Sequence, residues 1–117
     1  MASEEILDRE ALDALRSLGP DDGSLLREII DLFLAESQPD SVQLQAACAS
    51  DSRDEVARLA HRLKGMCGNV GATHVERACI ELERTVRDNE PHDAVVEAGA
   101  LVERELQAAQ AALAQLR

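Results

Sequence analysis

A chain of 117 residues, 45% of them hydrophobic, is the size of one domain and long enough to bury a core. With one Phe and no Trp or Tyr, that core must be built from Leu, Ile, Val and Ala. A net charge of −11 excludes the basic footprint that nucleic acid requires. No apolar run approaches the roughly 20 residues of a membrane span, and the acidic start MASEEILDRE lacks the apolar stretch of a secretory signal. A soluble, cytoplasmic domain without membrane contact is expected. Its wealth of Ala, Leu, Glu and Arg favours an all-α fold.

The first helix is expected from about Ser3, as N-cap, to Leu18, with Ile6, Leu7, Leu12, Leu15 and Leu18 on its apolar side. Gly19-Pro20-Asp21-Asp22-Gly23 reads as a turn. A second helix runs from Ser24, whose hydroxyl can cap it, to about Glu36 on Leu26, Ile29, Ile30, Phe33 and Leu34. Ser37-Gln38-Pro39 predicts a bend, followed by a further helical segment from Asp40 to about Ala49 with Val42, Leu44 and Ala46. Ser50-Asp51-Ser52 ends that segment and caps the next, Arg53 to about Asn69. Gly71 permits a tight reversal, and Thr73 caps a helix to about Asp88 with the stripe Val75, Ala78, Cys79, Leu82 and Val86. After the turn Asn89-Glu90-Pro91, with Pro91 suited to a first helical turn, the last helix follows Val95, Ala98, Val102, Leu106, Ala109, Leu113 and Leu116. That spacing is the seam of an antiparallel bundle. The expected architecture is one domain over 1–117: a four-helix bundle at about 24–117, from helices beginning near 24, 40, 53/73 and 91, with an additional N-terminal helix at about 3–18.

Cys48, Cys67 and Cys79 are odd in number and lack metal-ligand spacing. All fall near apolar stripes and read as small buried thiols of a reducing compartment.

The segment AHRLKGMCGNVGA, residues 60–72, holds the chemistry. Val56, Leu59, Leu63, Met66 and Val70 recur at threes and fours and form the core face of a helix. His61 points away from them, among Ala57, Arg58, Lys64, Gly65 and Gly68. A glycine inside a helix costs roughly 0.5–1 kcal/mol relative to alanine, so two of them beside an exposed imidazole suggest that something must approach it closely. Lys64 is the only lysine among twelve basic residues. Arg53, Arg58, Arg62 and Lys64 make the helix locally basic, or else form a solvated face with pairs such as Asp54–Arg58.

The run His61, Leu63, Lys64, Gly65, then the small Cys67, Gly68, Gly71 and Ala72, resembles the histidine phosphotransfer (HPt) domains of bacterial multistep phosphorelays. Leu82–Glu83 stands where that family tends to carry Leu-Glu or Gln on the following helix. Cys67 replaces the usual Ser or Ala with another small residue. The resemblance implies a phosphocarrier, not an enzyme that uses ATP. His61 accepts a phosphoryl group from a receiver-domain aspartate, or a kinase, and passes it to a response-regulator aspartate. Lys64 would stand beside the phosphoryl oxygens, and Mg²⁺ would come with the receiver, the chain having no cofactor of its own. The expected partners are response-regulator receiver domains and a sensor histidine kinase, met by a monomer through Ala57, Arg58, Arg62, Gly65, Gly68 and Asn69. No G-x-x-x-x-G-K-[ST] loop or kinase signature is present.

Glu83 is the candidate that orients the ring. His61 lies ten residues before Gly71 and Glu83 twelve after it, so a reversal there brings them to similar height. The ordinary alternative is an exposed acid paired with Arg87. A metal site of His61, Cys67 and His74 fails because Cys67 faces inward and His61 outward, and His74 and His92 read as surface residues. Two further readings stand beside the carrier: a phosphoacceptor domain of a chemotaxis or hybrid histidine kinase, and a helical bundle that only binds.

Overall fold

The computed structural model describes residues 6–117. Five helices follow in order: α1 (Arg9–Leu18), α2 (Ser24–Ala49), α3 (Arg53–Asn69), α4 (Thr73–Arg87) and α5 (His92–Ala114). α2 packs on α3 and α5, and α4 packs on the same two, while α1 lies against α2. Short turns reverse the chain after α2, α3 and α4, so the four long helices close into an antiparallel bundle. They begin at 24, 53, 73 and 92, not at 24, 40, 53/73 and 91.

The difference lies in α2, which is one helix of 26 residues running through Pro39. Pro39 and Ala35, whose carbonyl loses its donor, are both on the exposed side. The ring and the spare carbonyl therefore face outward, where a helix tolerates them best. Ile30, Phe33, Leu44 and Ala47, on either side of Pro39, are buried and dock as one face. Val42 and Ala46 are on the outside instead, and Ser37, Asp40 and Ser41 are buried in their place. Ser24 does not cap α2. Gly23 holds that position at φ +77, and Asp22 Oδ1 accepts the Ser24 N–H at 2.9 Å.

α1 is capped by Asp8, whose carboxylate accepts from the amides of Glu10 and Ala11 at 3.0 and 3.3 Å. Ser3 lies outside the described residues. Leu12 is buried and Leu15 half-buried, but Leu18 is exposed, since six residues of rotation carry it off the face of Leu12. α1 is anchored at the α3–α4 turn, where Asp8 N–H donates to the Gly71 carbonyl at 2.7 Å. Gly71 has φ +71, and a Cβ there would meet the Asp8 carbonyl at 3.0 Å, so both conformation and space call for glycine. Ala72, not Thr73, takes the cap position of α4. Pro91 stands just before α5, in its cap position.

On the far side, α2 and α5 approach closely at Gly99, where a Cβ would come within 2.7 Å of Cys48 Sγ. Gln45 donates to the Gly99 carbonyl at 3.1 Å, and Gln110 donates to Ser37 Oγ at 2.9 Å. All three cysteines are free and buried. Burial pushes the Cys48 thiol up to about 11, the Cys79 thiol up to about 12 and the Cys67 thiol higher still. Among the described residues no helix is long and apolar enough to cross a membrane.

Candidate functional site

α3 carries the site because its two faces divide cleanly. Val56, Leu59, Ala60, Leu63, Cys67 and the following Val70 are buried, with Met66 half-buried beside them. This leaves His61 on the outer face with its side chain 73% exposed. α3 sits between α2 and α4, so residues on either side of His61 meet different neighbours.

On the α4 side the register works out as the residue count suggests. His61 Nδ1 lies 3.3 Å from Glu83 Oε2, and Lys64 Nζ lies 2.9 Å from Glu83 Oε1. One half-buried carboxylate thus bridges the imidazole and the only lysine. Glu83 does not pair with Arg87, which is turned toward Asp88. With Nδ1 facing an acceptor, Nε2 is the ring nitrogen left toward solvent.

The two glycines leave the ring uncovered. Beyond its chain neighbours and its own helix backbone, a Cβ built on Gly65 would meet no described residue within 4 Å, and one built on Gly68 would meet the Glu76 carboxylate, at 3.5 Å. Arg58, Arg62, Gly65, Gly68 and Asn69 are exposed and Ala57 is half-buried, so the expected strip exists as a surface. Beyond Asn69 it borders a shallow groove formed by Ile29, Leu32, Phe33, Met66 and Val70. Leu32 is a large apolar side chain left exposed there.

The basic cluster read from the sequence is neutralised in the fold. Arg58 donates to Glu55 at 3.1 Å, not to Asp54, and the guanidinium holds the Glu55 carboxyl below its ordinary range. Arg53 pairs with Asp51 and donates to the Glu90 carbonyl. Lys64 has Glu83. Arg62 Nε lies 2.9 Å from Oδ2 of Asp40, a buried residue of α2 that the sequence reading did not single out. Each cation near His61 comes with its own acid.

The other histidines are elsewhere. His74 is half-buried between α4 and α5, its Nδ1 3.8 Å from Glu105 Oε1, rather than on the open surface. His92 is exposed, with Nε2 2.9 Å from the Cys48 carbonyl. Among the described residues, no three His, Cys, Asp or Glu side chains converge as a metal cage.

Residues 28–114 match the Hpt domain family. The structure is similar to histidine-containing phosphotransfer protein B (HptB) from Pseudomonas aeruginosa PAO1, with a TM-score of 0.80 and 26% identity over 96% of this chain and 94% of that one. A rice protein assigned as a histidine-containing phosphotransfer protein has the same fold, with a TM-score of 0.80 and 24% identity over 99% of this chain and 84% of that one. Among curated proteins none matches.

Proposed function

Given that the chain belongs to the Hpt domain family, and so is a phosphotransfer carrier of phosphorelays rather than a kinase, we propose that His61 is the residue that carries the phosphoryl group. The observation that supports this most is the exposed imidazole whose Nδ1 faces Glu83, with Lys64 on the same carboxylate. Nδ1 faces Glu83 Oε2 at 3.3 Å, so with the ring proton on Nδ1 the Nε2 lone pair is the one left for the partner. A phosphorylated receiver aspartate docks over Gly65 and Gly68. Nε2 attacks phosphorus, the N–P bond forms as the O–P bond breaks, and the aspartate leaves as a carboxylate. The ring gains positive charge, which Glu83 opposes. Phosphoryl transfer of this kind needs positioning and charge more than covalent help from the protein. Lys64 Nζ stands 2.9 Å from Glu83 Oε1 as an ion pair, and its three N–H donors can turn to phosphoryl oxygens.

The chain carries no cofactor in this scheme, and Mg²⁺ enters with the receiver domain. The partners are the receiver domains and a sensor histidine kinase, met by the strip of Ala57, Arg58, Arg62, Gly65, Gly68 and Asn69 and its apolar continuation at Leu32. The test is phosphotransfer from a phosphorylated receiver domain with Mg²⁺, using wild type beside His61→Gln. Acid-labile, alkali-stable label on the wild type alone is the expected result. Label of that kind on His61→Gln would overturn the assignment.

A further inference from the structure

Asp40 takes no part in the constellation of His61, Glu83 and Lys64, yet it breaks a strong rule. Its side chain is only 8% exposed, on the face of α2 that also buries Ser37 and Ser41. A buried carboxylate loses its hydration, and an apolar residue of similar volume often serves stability as well or better. Stability is therefore a weak reason for an acid here. Among the described residues the only cation within ion-pair distance is Arg62, which directly follows His61. That contact is one of charge alone: the 2.9 Å approach of Nε does not make a hydrogen bond, and Oδ2 accepts none from any described residue. Arg62 in turn donates no hydrogen bond among the described residues, and its side chain is 54% exposed. The guanidinium is thus held at the surface with its N–H groups unspent. One residue of helical rotation puts Arg62 on the α2 side of His61, as three residues put Lys64 on the α4 side.

We propose that Asp40 is a positioning residue for phosphotransfer: from inside the bundle it draws Arg62 to the α2 flank of His61 and leaves the guanidinium free for oxygens of the phosphoryl group in transit. This rests on the reading of His61 as the carrier. As the aspartyl O–P bond breaks and the Nε2–P bond forms, charge spreads over the equatorial oxygens. Lys64 meets them from one side and Arg62 from the other, the planar guanidinium being suited to two oxygens at once. Asp40 touches neither phosphorus nor nitrogen and acts only through Arg62.

The experiment is rapid-quench transfer from a phosphorylated receiver domain to the full chain, over a range of receiver concentration, with thermal unfolding of every variant. Asp40→Asn removes the charge and keeps the shape. It is expected to melt at or above the wild-type temperature, while the saturating transfer rate falls about tenfold, the size of one charged hydrogen bond. The half-saturating receiver concentration should move little. In Asp40→Asn/Arg62→Gln, where no charge is left buried alone, the rate should be no lower than in Asp40→Asn. A wild-type rate in Asp40→Asn would overturn the proposal. So would a further large loss in the double variant, or a loss that merely follows the unfolded fraction. His61→Gln run in parallel tests the underlying reading separately: label there would remove the carrier assignment, whereas a label-free His61→Gln beside a wild-type rate in Asp40→Asn would remove only the role of Asp40.

Discussion

His61 stands between two acid–base pairs that carry the same charges at different depths. On the α4 flank, Lys64 and His61 share Glu83, whose carboxylate is 21% exposed. On the α2 flank, Arg62 faces Asp40, which is 8% exposed and accepts no hydrogen bond through Oδ2 from any described residue. Water reaches the first pair and screens it, so its contribution to stability is small, about 0–1 kcal/mol. The second acid depends on its cation, because a carboxylate left alone in the interior has nothing to replace its hydration. One flank can be altered with its effect confined to chemistry. On the other, the fold itself takes part.

The largest expected effect belongs to the residue between them. His61→Gln should abolish phosphate uptake while changing unfolding free energy by less than about 1 kcal/mol, since the ring is exposed; label uptake and thermal unfolding of the same sample check both. The flanks are then separated by stability. Arg62→Ala should lose up to about 3 kcal/mol in denaturant unfolding, and Lys64→Ala no more than about 1 kcal/mol. Equal losses would erase the contrast in depth. They are separated again by rate: Glu83→Gln, which keeps a hydrogen-bonding group but removes the charge, should slow uptake about tenfold with stability nearly unchanged. The smallest effect reads the two halves of the bundle through their thiols. Raised thiol pKa values keep all three cysteines protonated in the folded chain at pH 8, where a thiolate reagent should label them slowly. Burial pushes Cys48, between α2 and α5, up to about 11 and Cys79, on α4, up to about 12. As pH rises above 9, unfolded thiols ionise before folded ones, so stability falls and Cys48 should be labelled first. Mass mapping of the labelled sites checks the order.

Most of the α4 flank was legible in the sequence and most of the α2 flank was not. The bounds of α3 and the inward stripe of Val56, Leu59 and Leu63 follow from helical periodicity, and Gly71 marks a reversal with a conformational cause. From these, counting outward places Glu83 opposite His61, because a short antiparallel turn transmits register faithfully. No such count reaches Asp40. Read as a break at Pro39, α2 has no fixed register against α3, and Asp40 becomes the start of a new segment. Pro39 interrupts one hydrogen bond on the exposed side, while packing of Phe33 and Leu44 holds the two halves in line. Tertiary contact decides the matter, and it is not written locally. The pairing of Arg58 with Glu55 instead of Asp54 is similar: both spacings are sterically allowed, and side-chain direction on the finished surface selects one. Gly99 had a local signal, a glycine inside a helical seam, but its cause lies on α2 at Cys48.

The acid standing opposite each cation around His61 also sets how ionic strength acts on partner recognition. Arg58, Arg62 and Lys64 already face Glu55, Asp40 and Glu83, so an incoming carboxylate or phosphoryl oxygen meets cations whose charge is largely balanced before it arrives. Little net attraction is left for dissolved ions to screen. The long-range field of the chain is instead that of its net charge of −11, which repels an acidic partner over roughly the 8–10 Å of a Debye length in physiological salt. Added salt should therefore speed association with such a partner, opposite to the behaviour of a face whose cations stood unpaired.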